Sequence, residues 1–63
     1  MYTKKQLIEC ACRELKKRRD NYPKWVAERR MTQVVATEQI DMMNTIYRIL
    51  LHTDEAAIAQ IQK

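Results

Sequence analysis

The sequence predicts an all-α fold: an antiparallel helical hairpin with a short helix at the Pro23 corner and a C-terminal helical tail, paired with a second copy as a homodimeric helix bundle. Three observations carry this expectation. The 63 residues include no Gly, no Phe and one Pro, and helix-forming residues such as Ala, Leu, Lys, Arg, Gln and Glu dominate, the composition of helices joined by few tight turns. Cap and breaker signals divide the chain at Thr3, Pro23, Thr32 and Thr53. The longest helical segment carries more apolar circumference than one neighbour covers.

Taken in order, Thr3-Lys4-Lys5-Gln6 matches a capping box, in which the Thr hydroxyl serves an orphan amide while the Gln reaches back, and Tyr2 is placed to staple against Leu7. The first helix is expected over residues 4 to about 21, because Pro23 lacks the amide proton of the helix ladder and biases Tyr22 away from helical geometry. Proline suits a first helical position, so a short helix over about 23 to 29 is expected to form the corner. Thr32 offers the next cap, with Met31 and Ala36 spaced as a staple, and a long helix follows over about 33 to 51. His52-Thr53-Asp54-Glu55 resembles a restart: Thr53 can cap, and two acids suit the positive end of a tail helix over about 54 to 62. A continuation of the long helix is the alternative. The whole chain, 1 to 63, reads as one domain.

Packing follows from the apolar positions. Leu7, Ile8, Ala11, Leu15 and Tyr22 fall within about a third of a turn, so the first helix needs one partner. On the long helix, Ala36, Ile40, Met43, Tyr47, Leu50 and Leu51 form one stripe, and Val35, Met42, Ile46 and Ile49 form a second beside it. Together they span about 200°. If the first helix covers the first stripe, the second remains exposed, which monomers seldom tolerate. Val35, Met42, Ile46 and Ile49 are therefore the expected dimer interface. The competing expectation is that Trp25 and Val26, or Ile58 and Ile61, fold over the second stripe within one chain.

Size points the same way. Burying about 4,000 Å² of apolar surface contributes about 100 kcal/mol and ordering the chain costs about 95, so a lone copy sits near balance. A chain this small has no room for a cofactor domain. Cys10 and Cys12 lie about 200° apart on a helix, and the single His52 stands far from both. Neither an internal disulfide nor a metal site is expected, and free thiols suit a reducing, cytoplasmic setting. No apolar run is long enough for a membrane span, and no signal-peptide pattern follows Met1.

Charge is lopsided. Residues 1 to 30 carry ten Lys/Arg against four Asp/Glu, whereas residues 31 to 63 carry two against four. Arg13, Lys16, Lys17, Arg19 and Lys24, joined by Lys4, Lys5, Arg29 and Arg30, could form a face for phosphates or for an acidic protein. Local compensation is expected from Glu9 with Arg13, Glu14 with Arg18, and Asp20 with Lys16 and Lys17. Such a face is otherwise a solvated helix surface. Trp25 at the corner is either a recognition anchor or a lid on the hairpin. A helix-turn-helix over residues 31 to 49 is disfavoured, because Ile40 stands where that motif needs a glycine bend.

Chemistry finds little footing. One histidine, no serine and dispersed carboxylates supply no nucleophile, base and orienting group in sequence. His52 is expected to meet the last carbonyls of its helix. Met42 and Met43 read as adaptable packing rather than ligands.

A pattern runs through Arg13-Glu14-Leu15, Arg18 or Arg19, Tyr22-Pro23-Lys24-Trp25-Val26, Arg30-Met31-Thr32, Ala36, Glu38-Gln39-Ile40, Met43 and Ile46. This pattern resembles a group of small helical phage and prophage proteins of bacteria, with Tyr-Pro-x-Trp-Val, Arg-Met-Thr and Glu-x-Ile-x-x-Met as its marks. It spans about residues 8 to 51; Val34 and Val35 depart from it, and the tail from Thr53 lies outside. The resemblance implies a phage-derived accessory protein and transfers no catalytic or ligand residue. The expected function is protein–protein interaction by a self-associating accessory protein without cofactor, metal or enzymatic activity. The alternative is a small basic nucleic-acid-binding accessory protein.

Overall fold

The computed structural model describes every residue from Met1 to Lys63 and contains three helices: α1 over Lys4–Ala27, α2 over Gln33–Leu51 and α3 over Glu55–Ile61. A complete capping box starts α1. Thr3 Oγ1 accepts from the Gln6 amide at 3.1 Å, and Gln6 Oε1 accepts from the Thr3 amide at 2.9 Å.

The first helix does not stop before the proline. It runs through Pro23 to Ala27, which corrects both the expected end near residue 21 and the separate short helix over 23 to 29. Proline removes the donor that the Arg19 carbonyl would otherwise meet, at a cost of about 3 kcal/mol in a helix interior. What holds the extra turn lies beyond it. Tyr22, Trp25 and Val26 are all half-buried, and the Tyr22 and Trp25 rings pack with centroids 5.3 Å apart, so ending the helix early would forfeit their contacts.

The chain then reverses without glycine. The Arg29 amide donates to the Val26 carbonyl at 3.1 Å and the Arg30 amide to the Trp25 carbonyl at 2.8 Å, which is the Schellman arrangement. Its left-handed position is Arg29, with φ of 59°. A side chain with a Cβ makes this conformation cost roughly 1 to 2 kcal/mol.

Thr32 caps α2, its Oγ1 accepting from the Val35 amide at 3.2 Å. The helix is continuous through Gln39-Ile40-Asp41, leaving no bend of the helix-turn-helix kind. At its end the backbone amide of His52, rather than its imidazole, meets the Arg48 and Ile49 carbonyls. The tail is a separate helix, not a continuation of α2. Thr53 does not cap it: Thr53 Oγ1 donates back to the Ile49 carbonyl at 2.6 Å, and Asp54 is the N-cap residue with no side-chain bond. The hydroxyl shares the Ile49 carbonyl with the His52 amide, the usual local competition for such groups.

Two side chains fix the order in which α1 and α2 meet. Lys4 Nζ donates to the Leu51 carbonyl at 3.2 Å, and Arg18 donates from its guanidinium to the Gln39 carbonyl at 2.8 Å. Early α1 thus lies beside late α2, and the helices run in opposite directions. Arg18 also holds Glu14 at 3.0 Å. Between these ties Ala11, Leu15 and Met43 form the buried core, with Ile40, Tyr47 and Leu50 packed against it. Ala36 and Ile58 complete the buried set, only five residues in all. Leu51, expected on the covered stripe, lies instead at its exposed margin.

The tail folds back on the start of the chain. The Gln62 carboxamide accepts from the Tyr2 amide at 2.7 Å and donates to the Tyr2 carbonyl at 2.8 Å, while Ile58 is buried. The molecule is a rod of 43 × 17 × 16 Å. It exposes 5124 Å², about 800 Å² more than a compact monomer of this mass.

Candidate interaction surfaces

The second apolar stripe of α2 is uncovered. Val35, Met42, Ile46 and Ile49 are exposed by 42%, 50%, 48% and 59%. At 100° per residue their mean direction lies about a quarter of a turn or more from the buried Ala36 and Met43, so the single face of α1 cannot reach both. Gln39 falls on the same line at heptad-like spacing, and no charged side chain interrupts it.

The covering elements expected from within the chain reach only the ends of this strip and leave it exposed. The Trp25 ring stays at the corner, with Tyr22 on one side and the Arg30 guanidinium 5.3 Å from its centroid on another. Ile58 turns inward, and Ile61 remains 79% exposed beside a small apolar recess lined by Leu7, Ile49, Leu50, Ile58 and Thr53. Ile61 thus extends the strip past Ile49 instead of shielding it. At the other end, Val35 borders a hollow of about 600 Å³ lined also by Val26, Met31, Arg29 and Arg30. Sequence reasoning assigned no interface role to Ile61 or to this hollow. The alternating pattern Ile58, Ile61 showed an apolar edge, but not which of the two would be left outside.

The basic face is less compensated than sequence spacing suggests. Arg13, Lys16, Lys17, Arg19 and Lys24 are all exposed. Ion pairs form only between Arg18 and Glu14 and, at 3.5 Å, between Arg30 and Glu28. The expected Glu9–Arg13 pair and the pairing of Asp20 with Lys16 and Lys17 are absent. On exposed helix surface the Coulomb gain of such pairs barely offsets the side-chain entropy they cost. Lys4 is committed to the end of α2 and Arg30 to Trp25, which leaves Lys5, Arg13, Lys16, Lys17, Arg19, Lys24 and Arg29 of that face without an ion-pair partner.

Cys10 and Cys12 are free and exposed. No three side chains among His, Cys, Asp and Glu converge on one point, and no helix is long and apolar enough to cross a membrane. His52 is exposed at the end of α2. The surface therefore offers two extended features, an apolar strip and a cationic face, on different sides of the rod. Comparison with protein-family models, with curated proteins and with solved structures finds no match to this chain.

Proposed function

We propose that this chain is a small accessory protein of phage or prophage type that works by binding rather than catalysis. It pairs with a second copy through Val35, Met42, Ile46 and Ile49 and presents the cationic face of α1 to an acidic protein partner in the cytoplasm. The exposed strip carries the reading. A continuous charge-free apolar row on a rod whose surplus surface is about 800 Å² matches what one partner contributes to an interface of standard size. The phage connection is supported by the Tyr22-Pro23-Lys24-Trp25-Val26 corner, and the cytoplasmic setting by the two free thiols.

Light scattering tests the pairing. At tens of micromolar the particle is expected at twice the 7.6 kDa chain mass, and Ile46→Glu is expected to return it to one chain. A wild-type particle that stays monomeric over that range overturns the proposal. The unpaired cations favour a second reading, a nucleic-acid-binding accessory protein. Several phosphate contacts would make affinity for duplex DNA fall steeply between 50 and 200 mM salt. Absence of binding at the lower salt retires that reading.

A further inference from the structure

We infer that the two copies pair antiparallel about a twofold axis at Met42, and that Ile61 of each copy is seated against the apolar side of the other's corner hollow. This inference rests on the self-association proposed above and adds its direction, its register and a second contact zone.

The strip is symmetric about its middle. Val35 and Ile49 lie seven residues either side of Met42, about 10 Å along the helix in each direction, so an antiparallel twofold places Ile49 against the partner's Val35. The two ends of the strip differ in shape. Past Ile49 the surface carries Ile61, 79% exposed at the edge of a small recess that it shares with Ile49 and Leu7. Past Val35 it falls into the open hollow of about 600 Å³, where Val26, Met31 and Val35 give an apolar floor beside Arg29, Arg30, Thr32 and Gln33. In chain order Thr53, which borders the Ile61 recess, and Met31, which borders the corner hollow, lie eleven residues either side of Met42.

Antiparallel pairing therefore seats a projection in a hollow twice, the self-complementarity that a twofold interface requires. Parallel pairing would set projection against projection and leave both hollows unfilled. It would also bring the two Arg29 and Arg30 pairs together, whereas the antiparallel arrangement moves each toward the end that carries Asp54 and Glu55. Met42 suits the axis, where it meets its own copy, because an unbranched thioether adapts to a symmetric contact.

Single-cysteine variants in a Cys10→Ser, Cys12→Ser parent, oxidised in air with copper phenanthroline, read the register. Met42→Cys is expected to give a covalent dimer on its own. Val35→Cys and Ile49→Cys are expected to link when mixed, as are Met31→Cys and Ile61→Cys, but none of these four links to itself. Self-linking by Val35→Cys and by Ile49→Cys means parallel pairing and overturns the inference, as does a dimeric parent in which Met42→Cys never links. A monomeric parent overturns the pairing itself, which separates the two failures. Ile61→Ser, at a site too exposed to matter for folding, is expected to weaken dimerisation about tenfold with an unchanged circular-dichroism spectrum. An unchanged dissociation constant removes the second contact zone.

Discussion

Met42 and Met43 are the same residue, adjacent in one helix, and one is 50% exposed while the other is 8% exposed. They head two regions of α2 that match in composition and differ in what lies opposite. The Met43 side faces Ala11 and Leu15 of α1; the Met42 side faces nothing in its own chain. Burial is thus decided by the partner helix. A one-sided amphipathic helix such as α1 covers one stripe, and any further apolar residues on α2 must be covered by another molecule or stay wet.

The covered side should respond most to mutation. Leu15→Ala is expected to cost about 2 to 5 kcal/mol. In a chain with so small a core this should abolish cooperative thermal unfolding, followed by circular dichroism, at any concentration. Ile46→Glu on the uncovered side should do the reverse, leaving the single chain's own stability within about 0.5 kcal/mol while removing the concentration dependence of melting expected of a dimer. Equal damage from the two variants would erase the distinction between the stripes. Thr32→Ala acts on both, since it loosens the turn that carries Val35 and Ala36, and should cost about 1 kcal/mol, roughly 4 to 8 °C in melting temperature. Smallest is Arg29→Gly. Relief of the left-handed strain, partly offset by the larger unfolded-state entropy of glycine, should stabilise the single chain by about 0.5 to 1 kcal/mol, read from thermal melting at concentrations too low for pairing.

Much of this arrangement was legible in the residues. Thr3 with Gln6 and Thr32 announce two helix starts because their side chains act on amides three residues away, a local interaction that sequence spacing encodes. The width of the apolar arc on α2 follows from helical periodicity alone. Pro23 misled because a local rule, the missing donor, was outweighed by non-local packing of Tyr22, Trp25 and Val26. Thr53 misled for a subtler reason: its hydroxyl had an amide ahead and a carbonyl behind within reach, and nothing in the sequence chooses between them. The corner hollow and the projection of Ile61 depend on where α3 swings. The Gln62 clasp on Tyr2, sixty residues distant, fixes that swing, and it has no signature in either segment alone.

The proline buried in the run of α1 has a mechanical consequence. With one rung missing at Arg19, the helix is two cooperative units joined end to end, a long one up to Tyr22 and a short one from Pro23 to Ala27. The short unit is the one that frames the hollow beside Val35. That short unit contributes no residue to the core around Leu15, so its hold on the rod is the packing of Trp25 on Tyr22 and the two backbone bonds that close the turn after it.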